Sequence, residues 1–336
     1  MHIRKTGMKI ENNRKRFDRD FIPENIRDVF VKALKQSLKV SWILLKIYIP
    51  VSLLTALLDR VGFLDFIAPY FEPLMKMLGL PGEAALVFMA AWVNNLFAAV
   101  AAASVLELSV RQITLIAIVT GFAHNLIVET GILIKLKMGR PAIALTRIVF
   151  SLLAGMLLHR IMPEMLRGDT VNALETAQSF SWADLLLKIL GTAGQILLMM
   201  FLIMLFYELV LLWKQRRKIK NAFSGITRFF GMSPSAMGPW LVGTFIGIAY
   251  GAGILFSMNK NQVLTHKDNC MLTLSMCLLH AAVEDTVIFA AIGANVGWIL
   301  IVRILLLFVI MTLVSRGNIY RKLTWIGLPK IVEVRN

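Results

Sequence analysis

Long apolar blocks separated by short polar breaks set out the elements of this chain. From Pro23, the residues Ile26, Phe30, Leu34 and Leu38 share one helical face, with Arg27, Lys32 and Lys35 elsewhere. That pattern predicts a helix lying in a membrane interface. Residues 40–58 predict the first span, with Lys46 near its start and Pro50 as a kink. Residues 62–79 are amphipathic, because Asp65, Glu72 and Lys76 interrupt them. Residues 84–106 are apolar except for Asn94 and Asn95, and read as one span or as two half-helices that enter and return. Spans follow at 111–136, carrying His124 and Glu129, and at 141–161, carrying Arg147. A polar, acidic loop over 159–184 closes this half.

The same plan then repeats. Residues 185–213 predict a long span and 222–231 a short amphipathic piece. Ser233-Pro234 is a helix start, with Ser as cap and Pro in the first turn. Residues 236–257 are apolar but broken by Gly243, Gly247, Gly251 and Gly253. The runs 270–291 and 297–315 finish the unit. Without a gap, 121–160 aligns with 277–316, placing His124 on His280, Glu129 on Asp285, Thr130 on Thr286, Arg147 on Arg303 and Arg160 on Arg316. Phe71, Lys76 and Gly79 match Phe223, Arg228 and Gly231 at an offset of 152 instead of 156. The chain is therefore an internal duplication.

Composition sharpens the class. Of 336 residues, 57% are hydrophobic and 17% charged, a balance that belongs to a multi-pass membrane protein rather than a soluble domain. The net charge of +16 suits basic cytoplasmic loops. Nucleic acid is excluded as a partner, since no basic segment carries interleaved aromatics. Two cysteines, Cys270 and Cys277, both in an apolar run, give no disulfide framework. The first long apolar run begins too late for a cleavable signal.

Loop charge selects a topology. Four full spans per repeat would put Lys135, Lys137, Arg140 and the basic run 214–220 outside, against the positive-inside tendency. If 84–106 and 236–257 are re-entrant hairpins, each repeat has three spans and the second inserts upside down. The inside segments then hold 27 Lys and Arg against 7 Asp and Glu, and the outside segments 5 against 9. The expected fold is all-α integral membrane, an inverted duplication of about six transmembrane helices plus two re-entrant hairpins, with eight full spans as the alternative. Its divisions are a basic cytoplasmic region 1–39, a first repeat 40–162, a periplasmic linker 163–184, a second repeat 185–316 and a cytoplasmic tail 317–336.

Eight charged residues fall inside the membrane on this plan: Lys46, Glu129, Arg147, Lys188, Glu208, Glu284, Asp285 and Arg303. Such groups are costly and usually face a partner or a pathway. In a structural reading, Arg147 pairs with Glu129, and Arg303 with Asp285 or Glu284. In a functional reading, His124, Asn125 and Glu129 meet His280, Glu284 and Asp285 across the pseudo-two-fold axis and bind a cation, a polar solute or a proton. Both can hold together, with Arg147 and Arg303 balancing charge and Asn94 and Asn95 at the edge of the cavity. On a continuous helix Cys277, His280 and Glu284 share a face that could ligate a metal, although Cys277 also reads as a small apolar residue. The identity of any metal is left open.

The stretch Leu78-Gly-Leu-Pro-Gly-Glu-Ala-Ala-Leu, followed by Asn94-Asn95, resembles the nucleoside-recognition or "gate" domain. So do the amphipathic piece before it and the helices carrying His124 and Glu129. That domain occurs in concentrative nucleoside transporters, in the membrane part of the bacterial ferrous-iron transporter and in spore maturation proteins. The resemblance implies a bacterial inner-membrane protein with two gate repeats, and the loop charges are what place both termini in the cytoplasm. The resemblance does not name the substrate: the chain departs from the iron transporter in having no GTPase domain and from nucleoside transporters in having no Gly-Gln-x-Glu-type motif, and the family name is not evidence of a nucleoside ligand. The expected activity is transport of a small polar solute or ion across the lipid bilayer, and the alternative is a non-transporting scaffold. A homo-oligomer is left open. No hydrolase or phosphate-loop motif is present, so neither an enzyme nor a cofactor is expected.

Overall fold

Lipid offers nothing to a bare backbone N–H or C=O, so apolar blocks of this length close their hydrogen bonds within helices. The computed structural model describes residues 26–163, scattered positions from 183 to 209, and residues 225–245, 247–248, 264–317 and 319. The first half contains α1 (Ile26–Arg60), α2 (Phe63–Met77), α3 (Ala84–Val93), α4 (Leu96–Ala103), α5 (Val110–Phe122), α6 (Leu126–Lys135) and α7 (Ala142–Ile161). The second contains α8 (Met237–Phe245), α9 (His266–Leu278), α10 (Ala282–Ala290) and α11 (Val296–Arg316). The described positions between 183 and 209 are helical. No strand occurs among the described residues. Four stretches among them are long and apolar enough to cross a bilayer: Val110–Lys135, Ala142–Ile161, Lys267–Ala290 and Val296–Arg316. The chain is an all-α, multi-pass membrane protein.

Two expectations change. The interfacial helix and the first span are one element, the 35-residue α1, which keeps Pro50 inside it. The blocks 111–136 and 270–291 are not continuous helices. Each is two half-helices in line, α5 with α6 and α9 with α10, interrupted at Ala123–Asn125 and Leu279–Ala281. Asn125 and Ala281 take the left-handed conformation, with φ of 48° and 46°. Asn is among the few side chains that do so readily.

The 84–106 block does divide at its asparagines. α3 and α4 have ten and eight residues, each well short of the roughly 20 needed to span. They pack against one another across Asn94 and Asn95. In the second half α8 ends near Gly247, whose φ of 108° suits glycine alone. The continuation of 236–257 lies outside the described residues. So do most of the 163–184 linker, residues 1–25, Lys188 and Glu208.

The two repeats are inverted and interlocked. Near the start of α5, Thr114 accepts the N–H of Asn295, just beyond α10, at 2.9 Å. On α9, Thr273 donates to the carbonyl of Met138, just beyond α6, at 2.5 Å. The broken helices therefore run antiparallel. Each repeat also lends its second half-helix to the other's core. Leu133, Leu136, Met138 and Ile143 pack with the apolar residues of α8 and α9. Their counterparts Phe289, Ile292, Ala294 and Ile299 pack with those of α3, α4 and α5. Outward ridges correspond as well. Leu145, Val149, Leu153 and Leu157 on α7 are exposed, as are Ile301, Leu305, Val309 and Leu313 on α11. These are lipid-facing stripes, and on the opposite faces Arg147 and Arg303 are buried.

Candidate functional site

The site is built where the long helices stop. A helix that continued through His124 would bond its N–H to the carbonyl of Thr120. At the break, the imidazole of His124 takes that carbonyl through Nδ1 at 2.8 Å. His280 does the same with Met276 at 2.6 Å. A carbonyl oxygen only accepts, so in both rings Nδ1 carries the hydrogen. The short helices α3 and α8 meet the breaks in matching ways. The N–H of Asn125 donates to the carbonyl of Ala91 on α3 at 2.8 Å, and that of Ala281 donates to Gly243 on α8 at 3.3 Å.

The arginines hold the breaks open. Arg147 donates through Nη1 to Glu129 Oε2 at 2.7 Å, through Nε to the Phe122 carbonyl at 2.9 Å and through Nη2 to the His124 carbonyl at 3.4 Å. Arg303 donates through Nη1 to Asp285 Oδ2 at 3.0 Å. Its Nη2 reaches the carbonyls of His280 and, across the repeat boundary, Gly121, both at 3.0 Å. The crossing favours a residue without a side chain at 121, because a Cβ there would sit 3.1 Å from Arg303 Cζ and the guanidinium would have to shift. The counterpart of Gly121 is Cys277, and Arg147 stays within its own repeat. Each guanidinium thus joins the end of one half-helix to a carboxylate on the next. A buried arginine is tolerated in a membrane only with such pairing.

Between the breaks three acceptor atoms converge. The imidazoles of His124 and His280 stack with centroids 4.8 Å apart, and their Nε2 atoms lie 3.3 Å apart. Glu129 Oε1, the oxygen that Arg147 leaves free, is 3.2 Å from His280 Nε2 and 3.7 Å from His124 Nε2. All three residues are buried, and they are the single such cluster of potential ligands among the described residues. With hydrogen on each Nδ1, a neutral ring presents a bare lone pair at Nε2. Two lone pairs and a carboxylate oxygen facing one another in a buried space repel unless a positive species joins them.

The nucleoside-recognition (Gate) family matches residues 41–159. That stretch runs from within α1 almost to the end of α7, so the resemblance read in the sequence is borne out over the first repeat. The Gate match does not extend over the second repeat, which is tied to the first by the matched breaks, arginines and core residues. Over 290 residues the chain is 27% identical to a membrane protein of Bacillus subtilis (strain 168) described as uncharacterized, YvoD. That alignment covers 83% of this chain and 91% of YvoD. No solved structure matches.

The other expected site residues are placed as follows. Asp285 is buried and held by Arg303, and among the two repeat-matched carboxylates only Glu129 comes within 4 Å of the imidazoles. Asp285 is one methylene shorter. Glu284 is half-buried on the first turn of α10 and makes no hydrogen bond or ion pair with a described residue. Asn125 contributes backbone, as the left-handed residue opening α6. Asn95 caps α4, its Oδ1 accepting the N–H of Ala98 at 3.0 Å, and its Nδ2 donates to the exposed Asn94 at 3.2 Å. The Cys277, His280 and Glu284 face does not form, because the break at Leu279–Ala281 falls inside it. Lys46 is exposed and lies 5.1 Å from the Trp42 ring. Sequence reasoning missed the backbone half of the site: the carbonyls of Thr120, Met276, Gly121 and Phe122. No side-chain pattern marks a carbonyl, and only the unexplained glycine at 121 hinted at one.

Proposed function

We propose that this protein is a secondary transporter of the bacterial inner membrane that carries an ion or small polar solute through a central site at His124, Glu129 and His280. The convergence of those three buried acceptors from two inverted, broken helices carries the reading. Discontinuous helices meeting near mid-membrane, at the boundary of inverted repeats, are where transporters place substrate and coupling ions. Backbone opened at that depth is tolerated only where protein or a watery cavity covers it. The loop charges orient the chain with both termini cytoplasmic. A proton or ion gradient is the driver, and the protein is not an enzyme.

Flux into proteoliposomes under an imposed pH or sodium gradient tests this. Solutes and ions that enter through the wild-type protein should cease to do so in His280→Ala and in Glu129→Gln. Unchanged flux in both variants would refute the assignment. The arginine–carboxylate pairs in both repeats also suit a non-transporting scaffold. In that case neither variant changes flux of any solute, and both lower thermal stability alone.

A further inference from the structure

We infer that the ion held at this site is a divalent first-row transition metal, bound by His124 Nε2, His280 Nε2 and Glu129 Oε1, with a fourth position open. The inference rests on the central site of the proposed transporter and names what that site takes.

Four observations lead to it. First, the three atoms are separated by 3.2, 3.3 and 3.7 Å. An ion about 2.0–2.1 Å from tetrahedrally arranged ligands sets those ligands roughly 3.4 Å apart. The triangle is already the face of such a tetrahedron, and an ion just off its plane reaches all three corners without side-chain movement. Second, the atoms are of the right kind. Both imidazoles are held with hydrogen on Nδ1 by backbone carbonyls, at 2.8 and 2.6 Å, which leaves Nε2 free to ligate. Metal-bound histidines are oriented in just this way by their outer partners. Third, the carboxylate is divided between two tasks. Oε2 is fixed by Arg147 at 2.7 Å, and Oε1 points at the imidazoles. Fourth, the charges nearby are balanced for a cation. Arg147 and Arg303 are each paired with a carboxylate, so neither leaves an uncompensated positive charge beside the site.

The ligand set chooses the class of ion. Magnesium and calcium take oxygen ligands in larger shells, which two imidazoles do not provide. Sodium and potassium gain little from nitrogen. Two imidazoles and one carboxylate with an open position suit zinc and its neighbours in the first transition row. The site is lopsided in spite of the duplication, because Asp285, one methylene shorter than Glu129, does not come within 4 Å of either imidazole. One ion per chain therefore binds, not two. Three protein ligands also hold an ion less completely than four, as a carrier that must release its cargo requires.

The test uses the purified full-length protein in detergent. Zinc is added and binding followed by calorimetry, and cobalt is added as a spectroscopic stand-in. The expected result is one zinc per chain. Bound cobalt should give the strong visible absorption of a four-coordinate ion, and X-ray absorption at the zinc edge should show two imidazoles at about 2.0–2.1 Å. His124→Ala and His280→Ala should each weaken binding by more than about 100-fold, exceeding the effect of losing an outer partner. Replacing His2, His266, Cys270 and Cys277 together should leave it unchanged. No zinc bound by folded wild-type protein overturns the inference and leaves a shared proton between the imidazoles. Zinc retained at full affinity in folded His280→Ala overturns it as well, as does a six-coordinate cobalt spectrum. If zinc does not bind while His280-dependent flux of another solute persists, the transport reading stands without this inference. If zinc binds as described but nothing is carried, the inference stands and transport falls.

Discussion

Arg303 is the residue whose removal should be felt most. Its side chain is fully buried, and it donates to Asp285, to the Gly121 carbonyl and to the His280 carbonyl, each at 3.0 Å. Arg303→Met strands a buried carboxylate, at a cost on the order of 3–5 kcal/mol. It also takes the donor from two carbonyls, adding about 1–3 kcal/mol for each that finds no replacement. The total should be at least about 4 kcal/mol, partly offset by relaxation. Removing both charges separates the contributions. Asp285→Leu together with Arg303→Met eliminates the stranded carboxylate and leaves only the carbonyl cost, so the double variant should recover about 3 kcal/mol of the loss. Unfolding in mixed micelles or bicelles, read by tryptophan fluorescence, measures all three proteins. Should the double variant be as unstable as Arg303→Met alone, the ion pair is not what holds this break, and the account given for both arginines fails. A single variant within about 1 kcal/mol of wild type would refute it equally, since that is the level of an exposed pair.

Three further outcomes are expected. Gly121→Ala should destabilise by about 1–3 kcal/mol in the same unfolding assay, because its Cβ meets the guanidinium of Arg303, whereas Gly131→Ala, where a Cβ meets nothing, should not. Single cysteines at the exposed positions Glu107 and Lys137, in a background without Cys270 and Cys277, should react with impermeant maleimide on opposite sides of the membrane, with 107 periplasmic; labelling of both from one side would sink the inverted topology. Halves of the chain divided within the 163–184 linker should be degraded when produced singly and stable when produced together, as pulse-chase would reveal, since each lacks core residues that the other provides.

The duplication was legible because charged residues and histidines are rare in apolar blocks, so their register shows through. From it came the Arg147–Glu129 pair, the Arg303–Asp285 pair and the meeting of His124 with His280. The breaks at Ala123–Asn125 and Leu279–Ala281 were not legible. Neither Pro nor Gly lies between 123 and 125 or between 279 and 281, and the groups that stabilise each break come from an arginine more than twenty residues later in the chain. A local pattern cannot report a cap supplied from so far away. The hairpin at Asn94-Asn95 was easier, since Asn95 caps the very helix that follows it. The fusion of the interfacial helix with the first span into α1 escaped for a different reason. The change from amphipathic to fully apolar pattern marks a change of surroundings, and a helix can pass through it unbroken.

The exchanged half-helices limit how such a molecule can move. In a carrier whose halves are separate bodies, one half can tilt against the other. Here a tilt would drag Leu133 and Leu136 out of one core and Phe289 and Ile292 out of the other. The long helices therefore form a fixed frame with His124 and His280 at its centre. The short helices that touch that frame at the breaks, α3 through Ala91 and α8 through Gly243, are themselves packed into the two cores, and Trp240 on α8 also donates to Ser275 on α9 at 2.7 Å. Any rearrangement around the site must therefore leave both exchanged cores in place.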